Sequence, residues 1–162
     1  GSANLQRIKL DQAIYGSKTI FPIGFNPVKT GAYLIAPNTA IPNANLFALD
    51  LSGVNLTGAN LSQANLTAAN LNSADLSETN LNRANLHQAY LQGAKLLQAN
   101  LEEANLTEVK LNHANLTAAN LKNANFIQAN LEGANLTAAD LSRANLKNTN
   151  LCGANFSGAI LT

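Results

Sequence analysis

Residues 59–71 read Ala59-Asn60-Leu61-Ser62-Gln63-Ala64-Asn65-Leu66-Thr67-Ala68-Ala69-Asn70-Leu71. The unit is Ala-Asn-Leu plus two variable residues, and outward from this stretch it runs unbroken from Ala44 to Thr162. Leu or Phe occupies every fifth position from Leu46 to Leu161, 24 centres in all, with Phe only at Phe126 and Phe156. Ala stands two positions before each centre, except at Leu49, Val54, Thr79, Val109 and Thr149. Asn, or Asp at Asp50, Asp75 and Asp140, immediately precedes it, except at Tyr90, Lys95, Lys110 and Ile160.

A period of five fits neither common element. On a helix, steps of about 100° place every fifth residue about 140° further round, so the leucines would spiral and form no stripe. Asn in every turn would also compete with helical hydrogen bonds. On a strand an odd period sends successive leucines to opposite faces. What remains is a coil that turns a corner every five residues, with Leu and Ala pointing inward and the other three residues outward.

Charges fix the number of corners. Stacked coils bring equivalent residues about 4.8 Å apart, where like charges repel and opposite charges attract. Four repeats per coil set Asp75 against Lys95, Arg83 against Glu103 and Glu102 against Lys122, with no like pair in the run. Three repeats put Lys95 on Lys110, and five put Asp50 on Asp75. The predicted coil therefore holds about 20 residues.

This A-N-L-x-x run resembles the pentapeptide-repeat family, over about three-quarters of the chain. The resemblance implies an all-β fold: a right-handed, four-sided parallel β-solenoid whose interior is lined by the central Leu/Phe and the preceding small residue. Those roles fall on Leu46, Leu51, Leu56, Leu61, Leu66, Leu71, Leu101, Phe126, Leu136, Phe156 and Leu161, among the other centres. About six regular coils follow, spanning ~29 Å at ~4.8 Å per coil. The Asn column is expected to bond turn backbone and to form amide ladders.

Composition agrees with a narrow, repetitive interior. Hydrophobic residues are 46% of the 162, yet aromatics are 5%, and Met and Trp are absent. Charged residues are 12% with a formal net charge of +1, which gives no electrostatic reason to expect nucleic acid or an anionic membrane. One cysteine, Cys152, excludes an intrachain disulfide framework. No apolar run approaches the ~20 residues of a membrane span, so this domain is not expected to insert in a membrane, though a longer parent protein could carry a span.

The N-terminal quarter differs. Gly1-Ser2 reads as a tag scar, so the natural chain is expected to extend upstream. Residues 3–20 hold further centres, Ala3-Asn4-Leu5, Ile8-Lys9-Leu10 and Ala13-Ile14-Tyr15, one residue out of phase with the main run. They are expected to form a first coil, with Ile20 as its fourth side. Residues 21–43 carry Pro22, Pro27, Pro37, Pro42, Gly24 and Gly31 together with Phe21, Phe25 and Tyr33. So many large apolar groups do not suit a flexible linker, and an ordered inserted loop is expected before the regular solenoid of 44–162. The string from Phe21 to Pro27 resembles an insert found in cyanobacterial members of the family. Phe21, Phe25 and Tyr33 are the candidate interaction residues of that loop, whose other reading is a covering flap.

Candidate chemistry is sparse. His87 and His113 are 26 apart and fall on different sides, without the converging ligands a metal needs. Cys152 follows a centre and points outward, with no His placed to activate it. Glu102 and Glu103 are assigned to ladder pairs. The outward column Thr57, Ser77, Leu97, Thr117, Thr137, Ser157 is read as hydroxyl bonding along the stack, because Leu97 and neighbouring charges interrupt any flat hydroxyl face.

The expected function is a non-enzymatic structural or protein-interaction module without cofactors, part of a larger cyanobacterial protein, in a soluble compartment. Its partner is expected to be a protein, not nucleic acid. The alternative is topoisomerase inhibition by DNA mimicry, which some family members perform. Residues 44–162 hold eight acidic and six basic side chains, a net −2, where duplex DNA of the same length would show ~17 charges. End-to-end self-association through the C-terminal coil is a further expectation, because the repeat reaches Thr162 with Phe156 and Leu161 uncovered.

Overall fold

A computed structural model describes residues 10–162. Parallel bridges link each residue before a centre to the residue 20 further on, from Ala40↔Asn60 and Asn45↔Asn65 to Asp140↔Ile160. The register predicted from the charges is the one observed. From the centre Leu46 to the centre Leu141 each pentapeptide repeats the same four bonds. The centre donates upward (Leu46 N to Asn65 O, 2.8 Å), as does the second turn residue (Ala48 N to Thr67 O, 2.9 Å). The small residue accepts from above (Asn65 N to Ala44 O, 2.9 Å), and the turn closes on itself (Ala64 N to Leu61 O, 3.0 Å).

Positive φ at the second turn residue makes each corner type II-like. Gly53 and Gly93 adopt it without side-chain strain, but so do Ser73, Glu78 and Gln98, at φ of 57°, 59° and 55°. The left-handed region is disfavoured for such residues, so the coil-to-coil bonds override local preference at most corners. Asparagine assists. Its Oδ1 accepts the N–H two residues on, as Asn55 does from Thr57 at 2.9 Å. Its Nδ2 donates to the Asn of the preceding coil, as Asn65 does to Asn45 at 3.1 Å and Asn105 to Asn85 at 3.0 Å. Both expected roles of the Asn column are present.

The interior is a column of leucines and alanines. Leu46, Leu51, Leu56, Leu61, Leu66, Leu71, Leu101, Phe126 and Leu136 are fully buried, with at most 1% exposed. Two predicted core residues are not. Phe156 is half-buried and Leu161 is 58% exposed, because the final coil has nothing stacked beyond it. Thr79, at an Ala position, is buried without an orphaned hydroxyl: its Oγ1 donates to Leu56 O at 2.9 Å. Thr149 does the same to Phe126 O at 2.8 Å.

One predicted charge pair is replaced. Arg83–Glu103 (2.8 Å) and Asp75–Lys95 (3.5 Å) form as expected, but Lys122 pairs with Asp140 at 3.1 Å, not with Glu102. The Asn120 amide already bonds Glu102 at 3.3 Å, and Asp140 presents a carboxylate to Lys122 from the coil above.

At the N-terminal end β1 (Ile14–Gly16) pairs in parallel with β2 (Tyr33–Ile35), Ile14 against Tyr33. That offset is 19, one short of the 20 that holds through the main run. The expected centres at Leu5 and Ile8-Lys9, and the tag scar, lie outside the described residues. Two differences from expectation concern 20–43. Ile20 is 94% exposed and lines no interior. The regular ladder begins before Ala44, since Asn38 N donates to Thr57 O and Ile41 N to Asn60 O, both at 2.9 Å. Ala36 and Ile41 act as centres there, disguised by Pro37 and Pro42 in the first turn position, where a fixed negative φ suits the corner. The excursion proper is thus confined to the stretch between β1 and β2, with a 3-10 helix at Val28–Thr30.

Candidate functional site

Aromatic side chains gather where the repeat is broken. Of the eight in the chain, five (Tyr15, Phe21, Phe25, Tyr33, Phe47) lie within residues 15–47. Pro22 and Pro27 stiffen the excursion, and Gly31 brings it back onto the coil. Its φ of +92° ends the short helix, and a side chain there would meet Asp11, whose Cα is 3.2 Å from where a Cβ would sit. Leu10 N donates to Thr30 O at 2.7 Å and Tyr33 N to Ala13 O at 2.8 Å, tying both ends of the excursion to the preceding segment.

This arrangement encloses an open groove of about 610 Å³, lined by Tyr15, Val28, Tyr33, Leu34, Ile41 and Pro42, with Asp11, Gln12 and Asn45 as polar groups. Tyr33 is fixed in it: its hydroxyl oxygen accepts the Asn45 N–H at 3.2 Å, leaving the hydroxyl proton for another acceptor. Of the three candidate loop residues only Tyr33 lines the groove. Phe21 packs edge-on against Tyr15 (5.2 Å between centroids) and Phe25 lies tilted by 33° against Phe21 (5.3 Å), a half-buried cluster that stiffens the excursion. Val28 stands 64% exposed at the margin. Sequence reasoning placed Tyr33 in a loop, whereas it begins a strand. The uninterrupted apolar run Tyr33-Leu34-Ile35 was the available signal.

The remaining candidates stay apart. His87 Nδ1 lies 3.2 Å from Thr107 O, and His113 lies over Gly133, where a Cβ would collide with its ring. Cys152 is exposed. Among the described residues no three His, Cys, Asp or Glu side chains gather as a metal site would require, and no helix is long and apolar enough to cross a membrane. Glu102 and Glu103 are held by Asn120 and Arg83. Asp50, Asp75 and Asp140 are kept below the ordinary carboxylate range, first by the hydroxyls of Ser52, Ser77 and Ser142, against an opposing effect of desolvation. Arg83 lowers Glu103 in the same direction. These shifts belong to ladder geometry. At Tyr90, where the column lacks Asn, the orphaned turn donor Gln92 N is taken by Asn72 Oδ1 of the preceding coil at 2.9 Å.

The bridges, the inward leucines and the five-residue corners define a parallel β-solenoid. A family model for pentapeptide repeats matches in eight copies, over residues 44–83, 84–123 and 119–158. The chain belongs to the pentapeptide-repeat family. No curated protein matches it. Among solved structures it is similar to a pentapeptide repeat protein from the Arabidopsis thaliana thylakoid lumen, at 35% identity and a TM-score of 0.51. That match covers 52% of this chain and 59% of the Arabidopsis protein. It is also similar to one from the cyanobacterium Cyanothece 51142, at 30% identity over 78% of this chain and 86% of that one, with a TM-score of 0.33. QnrB1, a plasmid-mediated fluoroquinolone resistance protein, matches at 20% identity over 93% of this chain and 92% of its own, with a TM-score of 0.36.

Proposed function

We propose that this chain is a non-enzymatic interaction module: a right-handed, four-sided rod of about six regular coils that presents the N-terminal groove to a protein partner. The observation that carries the reading is the groove itself. It gathers Tyr15, Tyr33 and exposed Val28 on a scaffold whose other corners are mostly Asn, Ser, Thr and Ala. Aromatic side chains are enriched where proteins recognise each other, and a rigid repeat array holds them without ordering cost on binding. Catalysis finds no support in the arrangement, since among the described residues no nucleophile, base and enclosed cavity converge. Its place would be a soluble domain of a larger, cyanobacterial protein.

Affinity capture from the source organism, with matched baits, tests this. Val28→Glu is expected to lose a partner that the unmodified chain and a Lys147→Glu variant both retain. Capture that ignores Val28→Glu and Tyr33→Phe alike would overturn the assignment of the groove. DNA mimicry is the weaker reading, because eight acids against six bases over 44–162 leave the surface nearly neutral. The purified chain is expected to leave gyrase supercoiling unchanged at about micromolar concentration, where electrostatic mimicry of a highly charged duplex would act. Inhibition there would restore it.

A further inference from the structure

From Asn45 to Asn155 the position before each centre is Asn or Asp in 20 of 23 repeats, and every one of those 20 accepts the N–H two residues on. The three exceptions, Tyr90, Lys95 and Lys110, are neighbours. Tyr90 bridges to Lys110, one strand spacing above it, and Lys95 stands on the adjoining side of the same coil as Tyr90, past the corner at Gln92-Gly93. Each exception gives up the turn bond. Asn72 Oδ1 takes Gln92 N at 2.9 Å, but Leu97 N and Asn112 N find no acceptor among the described residues. Gln92 Oε1 is also buried there without a donor, and such an acceptor costs stability. Local rules broken together at one spot mark a surface kept for something other than folding.

Apolar surface shows at the same spot. Between Phe47 and Leu151 the only large apolar side chains that stand exposed are Tyr90, at 45%, and Leu97, at 39%. The corner between Tyr90 and Lys95 is bare. A Cβ on Gly93 would find only Ser73 Oγ, at 3.8 Å, while the His113 ring one coil up lies against Gly133. Both cations are loosely engaged. Lys95 Nζ is 3.5 Å from Asp75 Oδ2, against 2.8 Å for Arg83–Glu103, and Lys110 is in no ion pair among the described residues. Glu108, beside Lys110, is already bonded by Gln88 Nε2 at 3.0 Å.

We propose that this edge is a second docking surface, for an acidic segment of a partner protein in which carboxylates alternate with apolar side chains. Lys95 and Lys110 take the carboxylates, in charged hydrogen bonds stronger than neutral ones. Tyr90 and Leu97 cover the apolar groups, and a tyrosine ring does so with little loss of conformational freedom. Two lysines are too few for duplex nucleic acid or an anionic membrane, each of which engages a broad basic surface. The edge lies more than two coils from Asn45, the last residue of the N-terminal groove, and is independent of it.

Amide-resolved nuclear magnetic resonance of the whole chain tests the site, with the peptide acetyl-Glu-Phe-Glu-Leu-Glu-amide as probe. Titration to about 5 mM should shift the amides of Tyr90, Lys95, Leu97 and Lys110 and leave those of Tyr33 and Asn45 unmoved. The same peptide with Gln in place of Glu should bind about tenfold more weakly or worse. Tyr90→Asn/Lys95→Asn/Lys110→Asn puts the repeat's own residue back and restores three turn bonds. It should weaken the acidic peptide by about tenfold or more while melting no lower than the original chain. Lys147→Asn, which also removes one positive charge, should bind the peptide as the original does. A restored chain that melts lower would show the three residues to be folding determinants and overturn the proposal. Binding that survives the restoration, or no shift with the original chain, would overturn it too. Equal shifts from a duplex oligonucleotide or from phosphatidylserine vesicles would make the edge an unselective anion contact, with the same consequence.

Discussion

Leu136 and Asn135 are adjacent residues of one coil with opposite roles, and replacing each by Ala separates interior packing from surface bonding. Leu136 is fully buried in the leucine column, with coils on both sides. Its truncation removes three buried carbons and leaves a cavity that rigid neighbouring coils cannot close, a loss of about 2–5 kcal/mol. Asn135 makes three bonds: Oδ1 accepts Thr137 N (3.1 Å) and Thr137 Oγ1 (2.6 Å), and Nδ2 donates to Thr117 Oγ1 (3.0 Å). Both hydroxyls can turn to water, so only the half-buried Thr137 N–H is left short, and the loss should be about 1–2 kcal/mol. For a chain of this size each kcal/mol moves the melting temperature by about 2–4 °C. Thermal unfolding followed by circular dichroism should then show Leu136→Ala lowered by roughly 6–15 °C and Asn135→Ala by less than half as much. Because both sites share a coil, partial unfolding of the rod affects them alike. Equal melting temperatures, or a larger drop for Asn135→Ala, would refute the division into inward Leu and outward Asn.

Other expected outcomes follow from corners, excursion and charges. Gln98 occupies a corner at φ 55° and is exposed, so Gln98→Gly should stabilise the rod by up to about 1 kcal/mol, the reverse of glycine's usual effect in regular structure; a clear loss in chemical denaturation would contradict the corner geometry. Gly31→Ala, at φ +92° with Asp11 backbone in its way, should speed proteolysis within 17–31 and leave the melting of the main solenoid unchanged. The lowered pKa values of Asp50, Asp75, Asp140 and Glu103 mean that their contribution is fully present above the ordinary carboxylate range. It is lost as pH falls from about 4 through the lowered native values, and a melting temperature that rises on acidification over that interval would oppose the ladder bonds.

The main solenoid was legible because every one of its pentapeptides repeats the same physical instruction. Leu46 to Leu141 could be assigned inward from spacing alone, and the charges at Asp75, Lys95, Arg83 and Glu103 carried the 20-residue register, since stacking makes sequence distance a contact. Lys122 was misassigned because a long flexible side chain chooses among carboxylates within reach, and the competing Asn120 amide is not apparent from a charge count. The ends were harder. Ala36 and Ile41 obey the coil but lack Asn, so backbone bonding there outlasts the sequence signal by two repeats. Ile20 shows the converse, an apolar residue at a plausible spacing with no coil to receive it. Tyr33 and the groove depend on how the excursion closes over the first coils, a long-range event that Gly31 and Pro27 permit but do not spell out. Exposure of Phe156 and Leu161 follows from a missing neighbour, not from their own pattern.

The rod is built on a coil of 20 residues, and a distance along one face measures it directly. Asn43 and Asn123 occupy the same corner four coils apart, and both are exposed. Spin labels at Asn43→Cys and Asn123→Cys in a Cys152→Ser background should give a narrow dipolar distance distribution centred near ~19–20 Å, four steps of ~4.8 Å. A coil of three pentapeptides would instead separate them by more than five steps and turn them to different sides, giving ~26 Å or more. A distribution centred at that longer distance, or one too broad to assign, would contradict the rod.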